Sequence, residues 1–210
     1  MPSQPEIEQP FSSLEASLKK AVAALREAEV PFLLAGSLAV WARGGPESRH
    51  DLDFVLRQEE AERALEVLAD AGMRTEKPAE EWLYKAWDGD VLIDLIFQPR
   101  GMVVDDEVIE RGDFLHVLGI TIPVMSIEDV LATKLLALHE HELDYTASLR
   151  IARAVREQID WRYLRSRTAE SPFATAFFVL CEELDIAPAS PHAAGADVRL
   201  VNRFRGAGMG

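Results

Sequence analysis

The sequence predicts an α+β protein. A mixed sheet flanked by helices is expected over residues 1–123, followed by a C-terminal helical bundle over 124–210, whose tail from Pro188 is rich in Ala, Gly and Pro. Two observations predict it. Short apolar runs alternate with amphipathic stretches as far as Pro123, and helical stretches alone follow. Hydrophobic residues make up 48% of the 210, enough for a substantial core.

Each element has its own signal. The polar, proline-rich start, MPSQPEIEQP, reads as a loose arm. Ser12 with Glu15 fits a capping box, and Leu14, Leu18, Val22 and Leu25 recur at helical spacing. PFLLAG is a short apolar run ending in Gly36, read as a buried strand, and Ser37 opens a short helix, SLAVWAR. GGPES is a loop by its glycines and proline, and LDFVL is the next strand. QEEAERALEVLADAG is an amphipathic helix stopped by Gly72. EWLYKAWDGDVLIDLIF reads as a hairpin, with Asp88-Gly89 as the turn dipeptide. HVLGITIPVM holds a further strand or two. Ser126 with Asp129 then caps a helix through Leu138, and DYTASLRIARAVREQ, WRYLRSRT and PFATAFFVLCEEL read as three more.

Composition narrows the function classes. No apolar run approaches the roughly 18 residues of a membrane helix, and nothing resembles a signal peptide. A lone cysteine, Cys181, excludes an internal disulfide and a cysteine-based zinc site. A cytoplasmic protein with no membrane partner is the expectation. The formal charge of -14 argues against a nucleic-acid binder and favours a cationic partner. Yet residues 149–167 hold six arginines against Glu157 and Asp160, a local +4. Within that stripe Arg150, Arg153 and Arg156 fall on one face if the segment is helical, and are candidate acceptor contacts.

Chemistry is concentrated earlier. Asp51 and Asp53 lie one apart on a strand, so both carboxylates share a face. Like charges this close resist ionisation unless a cation intervenes. Magnesium, which takes hard oxygen ligands, answers that need. Asp94 stands alone inside the apolar run VLIDLIF, where an unpaired charge is costly. The same metal is one candidate partner, a neighbouring Arg or backbone amides another. Gly36-Ser37, at the end of a strand and the start of a helix, forms a tight turn suited to phosphate. Lys134, on an otherwise apolar helical face, either reaches solvent or meets an anion. Arg49, beside the Asp51–Asp53 strand, is placed to pair with a carboxylate or reach a triphosphate. His139 and His141, two apart on an expected helix, make a poor metal pair.

Taken together, Gly36-Ser37, Asp51-Leu52-Asp53 and Asp94 resemble the nucleotidyltransferases of the DNA polymerase β superfamily over about Glu15 to Phe97. That resemblance implies that Asp51, Asp53 and Asp94 hold two Mg2+ ions and that Gly36 and Ser37 grip the triphosphate of an NTP. The implied reaction is attack of an acceptor hydroxyl on the α-phosphate with release of pyrophosphate. SIEDVLATKLLALHEHELDYTASLRIAR is similar to a segment of the AbiEii/MenT-like toxin nucleotidyltransferases. This second resemblance implies triphosphate binding by Lys134, an orienting role for Asp144, the 3′ end of tRNA as acceptor and an antitoxin protein as partner. The alternatives are a small-molecule enzyme of the aminoglycoside type, with an acidic pocket for a polycation, and a non-catalytic binding protein on the same fold.

Overall fold

Leu14, Leu18, Val22 and Leu25 are all buried, and their spacing winds the first helix, α1 (Phe11–Glu27). The computed structural model describes residues 11–46 and 51–189. Both chain ends, and Arg49 with them, lie outside the described residues.

Strand β1 (Leu33–Leu34) leads into helix α2 (Gly36–Ala42), and strand β2 (Leu52–Val55) follows. A 3-10 turn, Gln58–Glu60, precedes α3 (Ala61–Asp70). Strand β3 (Arg74–Glu76) joins the hairpin of β4 (Leu83–Asp88) and β5 (Val91–Ile96). Helix α4 (Asp106–Glu110) precedes a second hairpin, β6 (Asp113–Val117) and β7 (Ile120–Val124). Four helices complete the described chain: α5 (Ile127–Ala137), α6 (Thr146–Val155), α7 (Trp161–Arg167) and α8 (Pro172–Glu183).

The seven strands form one mixed sheet in the order β3-β4-β5-β2-β1-β7-β6. β2 runs parallel to β5 and β1 parallel to β7, while the remaining neighbours are antiparallel. The expected α+β class holds, with helices beside the sheet and a helical cluster after it.

Some local expectations are corrected. The first hairpin turns at Gly89-Asp90, because Asp88 pairs with Val91. Gly89, at φ +63°, supplies the left-handed conformation that the turn demands. Strand β3 and helix α4 carry no periodic apolar pattern and were not expected. The helix capped by Ser126 ends at Ala137, so His139 and His141 are not helical; the backbones of His139 and Glu142 bridge each other instead. Arg156 leaves α6 for a 3-10 turn, Arg156–Gln158.

Pro123 sits inside β7 opposite Phe114, so the expected boundary after residue 123 falls within a strand. One apolar core joins Leu34 and Val124 of the sheet to Leu131 and Leu135 of α5, Ile151 of α6 and Phe177 of α8. Arg43, its side chain 8% exposed, donates to the carbonyls of Val124 and Met125 and pairs with Asp113 at 2.9 Å, tying α2 to the second hairpin. Cys181, on α8, is fully buried, and burial pushes its thiol pKa up to about 12.

Candidate active site

Alternation along β2 builds the site. Leu52 and Phe54 are sealed in the core, which turns Asp53 to the opposite face. Parallel pairing with β5 sets Asp53 directly beside Asp94. Val91, Ile93 and Leu95 are buried, so Asp94 shares the other face of β5 with Leu92 and Ile96. The run VLIDLIF is therefore enclosed on one face only. Opposite Asp94 on β4 stands Lys85, whose Nζ lies 3.2 Å from Asp94 Oδ1. Sequence reasoning missed Lys85. Its signal was the hairpin register, and displacing the turn by one residue sets Leu83 opposite Asp94 instead.

Gly36 is forced by two facts. Its φ is +60°, and a Cβ at this position would lie 1.7 Å from Asp53 Oδ2. The Ala35 amide, one residue earlier, donates to the Asp53 carbonyl at 2.8 Å, so the turn is locked onto β2. Ser37 follows in α2, half-buried.

A cavity of about 890 Å³ opens over this face. Gly36, Asp53 and Ile96 line it from the sheet side, Lys134 from α5, Gln98 to Val103 from the loop after β5, and His139 and Glu142 from the segment after α5. Lys134 thus points at an acidic site rather than only toward solvent. Asp53 is pushed up to about 6, first by burial and then by the charges of Asp94 and Asp51; Lys134 and Lys85 offset part of this. Burial also raises Asp94, against the pull of Lys85.

The carboxylates suit magnesium by their chemistry, being hard oxygen donors with negative charge in excess. Among the described residues no three His, Cys, Asp or Glu side chains are gathered into a group that could hold a metal. Asp94 is engaged by Lys85 instead. Magnesium commonly needs only one or two protein carboxylates beside the phosphates it carries.

Other expected residues do not meet at the cavity. Ser37, Asp51, Asp94 and Asp144 do not line it, and Asp51 precedes β2 rather than lying within it. Asp144 is exposed and accepts from the Thr146 amide at 2.8 Å, which holds its carboxyl below the usual range. Arg150 and Arg153 border a separate shallow pocket with Pro46 and Leu149. Arg156 lies beyond the end of α6, in the 3-10 turn, and pairs with Glu157 at 3.0 Å.

A family model described as aminoglycoside-2''-adenylyltransferase matches residues 17–98, under half of the chain but including Gly36, Ser37 and all three aspartates. Among solved structures, the solution structure of the antibiotic-resistance factor ANT(2'')-Ia is similar with a TM-score of 0.59, covering 84% of this chain and 99% of that one at 17% identity. This is a nucleotidyltransferase fold. The crystal structure of ANT(2'')-Ia in complex with adenylyl-2''-tobramycin matches at 0.58, covering 79% of this chain and 99% of that one, again at 17% identity. An antigenic nucleotidyltransferase-like protein from Paracoccidioides brasiliensis matches at 0.50, with 86% and 96% covered at 15% identity. No curated protein matches the chain significantly. Within this nucleotidyltransferase fold, the span that the family model matches ends at Gln98, just beyond β5, so it holds the carboxylates and the Gly36 turn but not Lys134.

Proposed function

We propose that the protein is a magnesium-dependent nucleotidyltransferase that moves the NMP of an NTP onto a hydroxyl of a small-molecule acceptor. One observation carries the reading: Asp53, paired in register with Asp94, lies under the Gly36 turn and faces Lys134 across one cavity. The family model over residues 17–98 and the likeness to ANT(2'')-Ia support a small acceptor of the antibiotic type. Transfer to tRNA by a toxin with a cognate antitoxin draws no support from these likenesses, and Arg150, Arg153 and Asp144 lie off the cavity.

In this reading Asp51 and Asp53 would hold magnesium. The chemistry it supplies when bound is neutralisation of charge on the transferring phosphate and the leaving group. Lys134 binds the triphosphate, and Gly36 lets it approach the Asp53 carboxylate, where a side chain would block it. Asp94, oriented by Lys85, takes the proton of the acceptor hydroxyl. The acceptor oxygen bonds to the α-phosphorus, the bridge to the β-phosphate breaks, and pyrophosphate leaves.

The test is transfer of α-labelled phosphate from each of the four NTPs, with magnesium, to a panel of hydroxylated antibiotics and to total tRNA. Label on a small molecule is expected, and Asp53→Ala should abolish it with the fold intact by circular dichroism. Label on RNA alone, or on nothing, would overturn the reading.

A further inference from the structure

We propose that the acceptor is a hydroxylated, largely apolar small molecule bearing a single amine, rather than a polycation. The inference rests on the nucleotidyltransferase reading and specifies its acceptor. The charge of -14 suggests an acidic pocket, but few of the acidic residues line the cavity itself. Among the described residues lining it, only Asp53 and Glu142 are acidic, and Arg100 and Lys134 stand against them. Asp53 belongs to the metal and nucleotide side. Glu142 alone remains to meet an acceptor ammonium.

Glu142 stands at the rim with its side chain 81% exposed and its backbone tied to the segment after α5. Its amide donates to the His139 carbonyl at 3.0 Å, and its Oε2 lies 3.4 Å from His139 Nε2. A second or third ammonium entering the cavity would shed water with no free carboxylate opposite it and with Arg100 repelling it.

The remaining wall favours apolar surface. Trp82 and Val103, 44% and 76% exposed, both line the mouth, with Met102 deeper. Exposed apolar residues grouped at one opening mark a surface that a ligand covers. The backbone at Trp82 is held to the end of β5, where the amides of Phe97 and Gln98 both donate to its carbonyl at 3.1 Å. A ring or alkyl arm of the acceptor would lie on Trp82 while its hydroxyl reaches the α-phosphorus and its amine meets Glu142. The bond changes are those given above: oxygen to phosphorus forms, the bridge to the β-phosphate breaks, and the proton passes to Asp94.

The experiment compares acceptors by pyrophosphate release from the full chain with Mg-ATP. Lincomycin serves as a hydroxylated monoamine with an apolar arm, and tobramycin as a polyamine. The expected kcat/KM for lincomycin exceeds that for tobramycin by about tenfold or more. Glu142→Gln and Trp82→Ala should each raise the lincomycin KM about five- to tenfold, with kcat nearly kept. Mg-ATP affinity by titration calorimetry should stay within about twofold in both variants, which shows that they fold. Preference for tobramycin, indifference of the lincomycin KM to both substitutions, or bound Mg-ATP with no transfer to lincomycin would overturn the inference. Absence of binding of every one of the four Mg-NTPs in the unsubstituted chain would instead overturn the nucleotidyltransferase reading.

Discussion

Gly36 is the most constrained residue of the site. Alanine there meets both a positive φ and a Cβ 1.7 Å from Asp53 Oδ2. Gly36→Ala should cost about 1–3 kcal/mol of stability and lower transfer by about a hundredfold or more, since either the turn or Asp53 must move. Urea unfolding and a transfer assay check both. Asp53 has a pH signature of its own. Its carboxyl titrates near 6 in the fold against an ordinary 3.8, so the folded state holds the proton more tightly than the unfolded chain. The ionised form therefore weighs against the metal-free fold above pH 6, and that penalty fades as the pH falls toward 4. Asp53→Asn should stabilise the protein in EDTA at pH 7 by about 1–3 kcal/mol, and by less at pH 5. Equal gains at both pH values would show that Asp53 is not held in this environment. Lys85 completes the set. Because it lowers the Asp94 pKa, Lys85→Met should move the acidic limb of the pH–rate profile to higher pH if Asp94 is the proton acceptor.

Among the elements, α5 connects the sheet to the later helices. Its N-terminal Asp129 is fully buried, accepting from Ser126 Oγ at 2.8 Å and Arg111 Nε at 3.1 Å, while Arg111 also stacks on Tyr163 at 3.5 Å. Arg111→Met leaves that carboxylate without its cation and should cost about 2–4 kcal/mol in urea unfolding. The sequence made most elements legible. The apolar spacing of α1, the Ser126 cap of α5 and the alternation of β2 each carry a local signal strong enough to survive folding. β3 did not, because Arg74 and Glu76 are exposed at the sheet edge and leave no apolar pattern. The carboxylates were legible for the same reason that Lys85 was not. Asp53 and Asp94 interrupt apolar runs, whereas Lys85 acquires meaning only from a cross-strand register. The rim was hidden as well, since Trp82 and Glu142 meet one cavity across some 60 residues of chain.

The whole molecule shares one core from Leu14 of α1 to Phe177 of α8. A division into residues 1–123 and 124–210 would cut β7 between Pro123 and Val124 and separate Lys134 from Asp53. Thermal unfolding is accordingly expected as one cooperative transition, with calorimetric and van't Hoff enthalpies equal. Two resolved transitions would show that the helical half is a domain in its own right. Charge also has to be judged at this scale. The chain's acidity resides largely outside the cavity, so net charge describes solubility and encounter better than it describes the acceptor.

The sealed thiol on α8 has a practical consequence. Cys181 is the chain's single cysteine and shows no accessible surface. The native protein is thus a blank background for maleimide chemistry. A fluorophore attached through Val103→Cys, at the cavity mouth, would be the only label on the molecule. Its emission would follow nucleotide and acceptor entering in turn, in real time and without a chemical step.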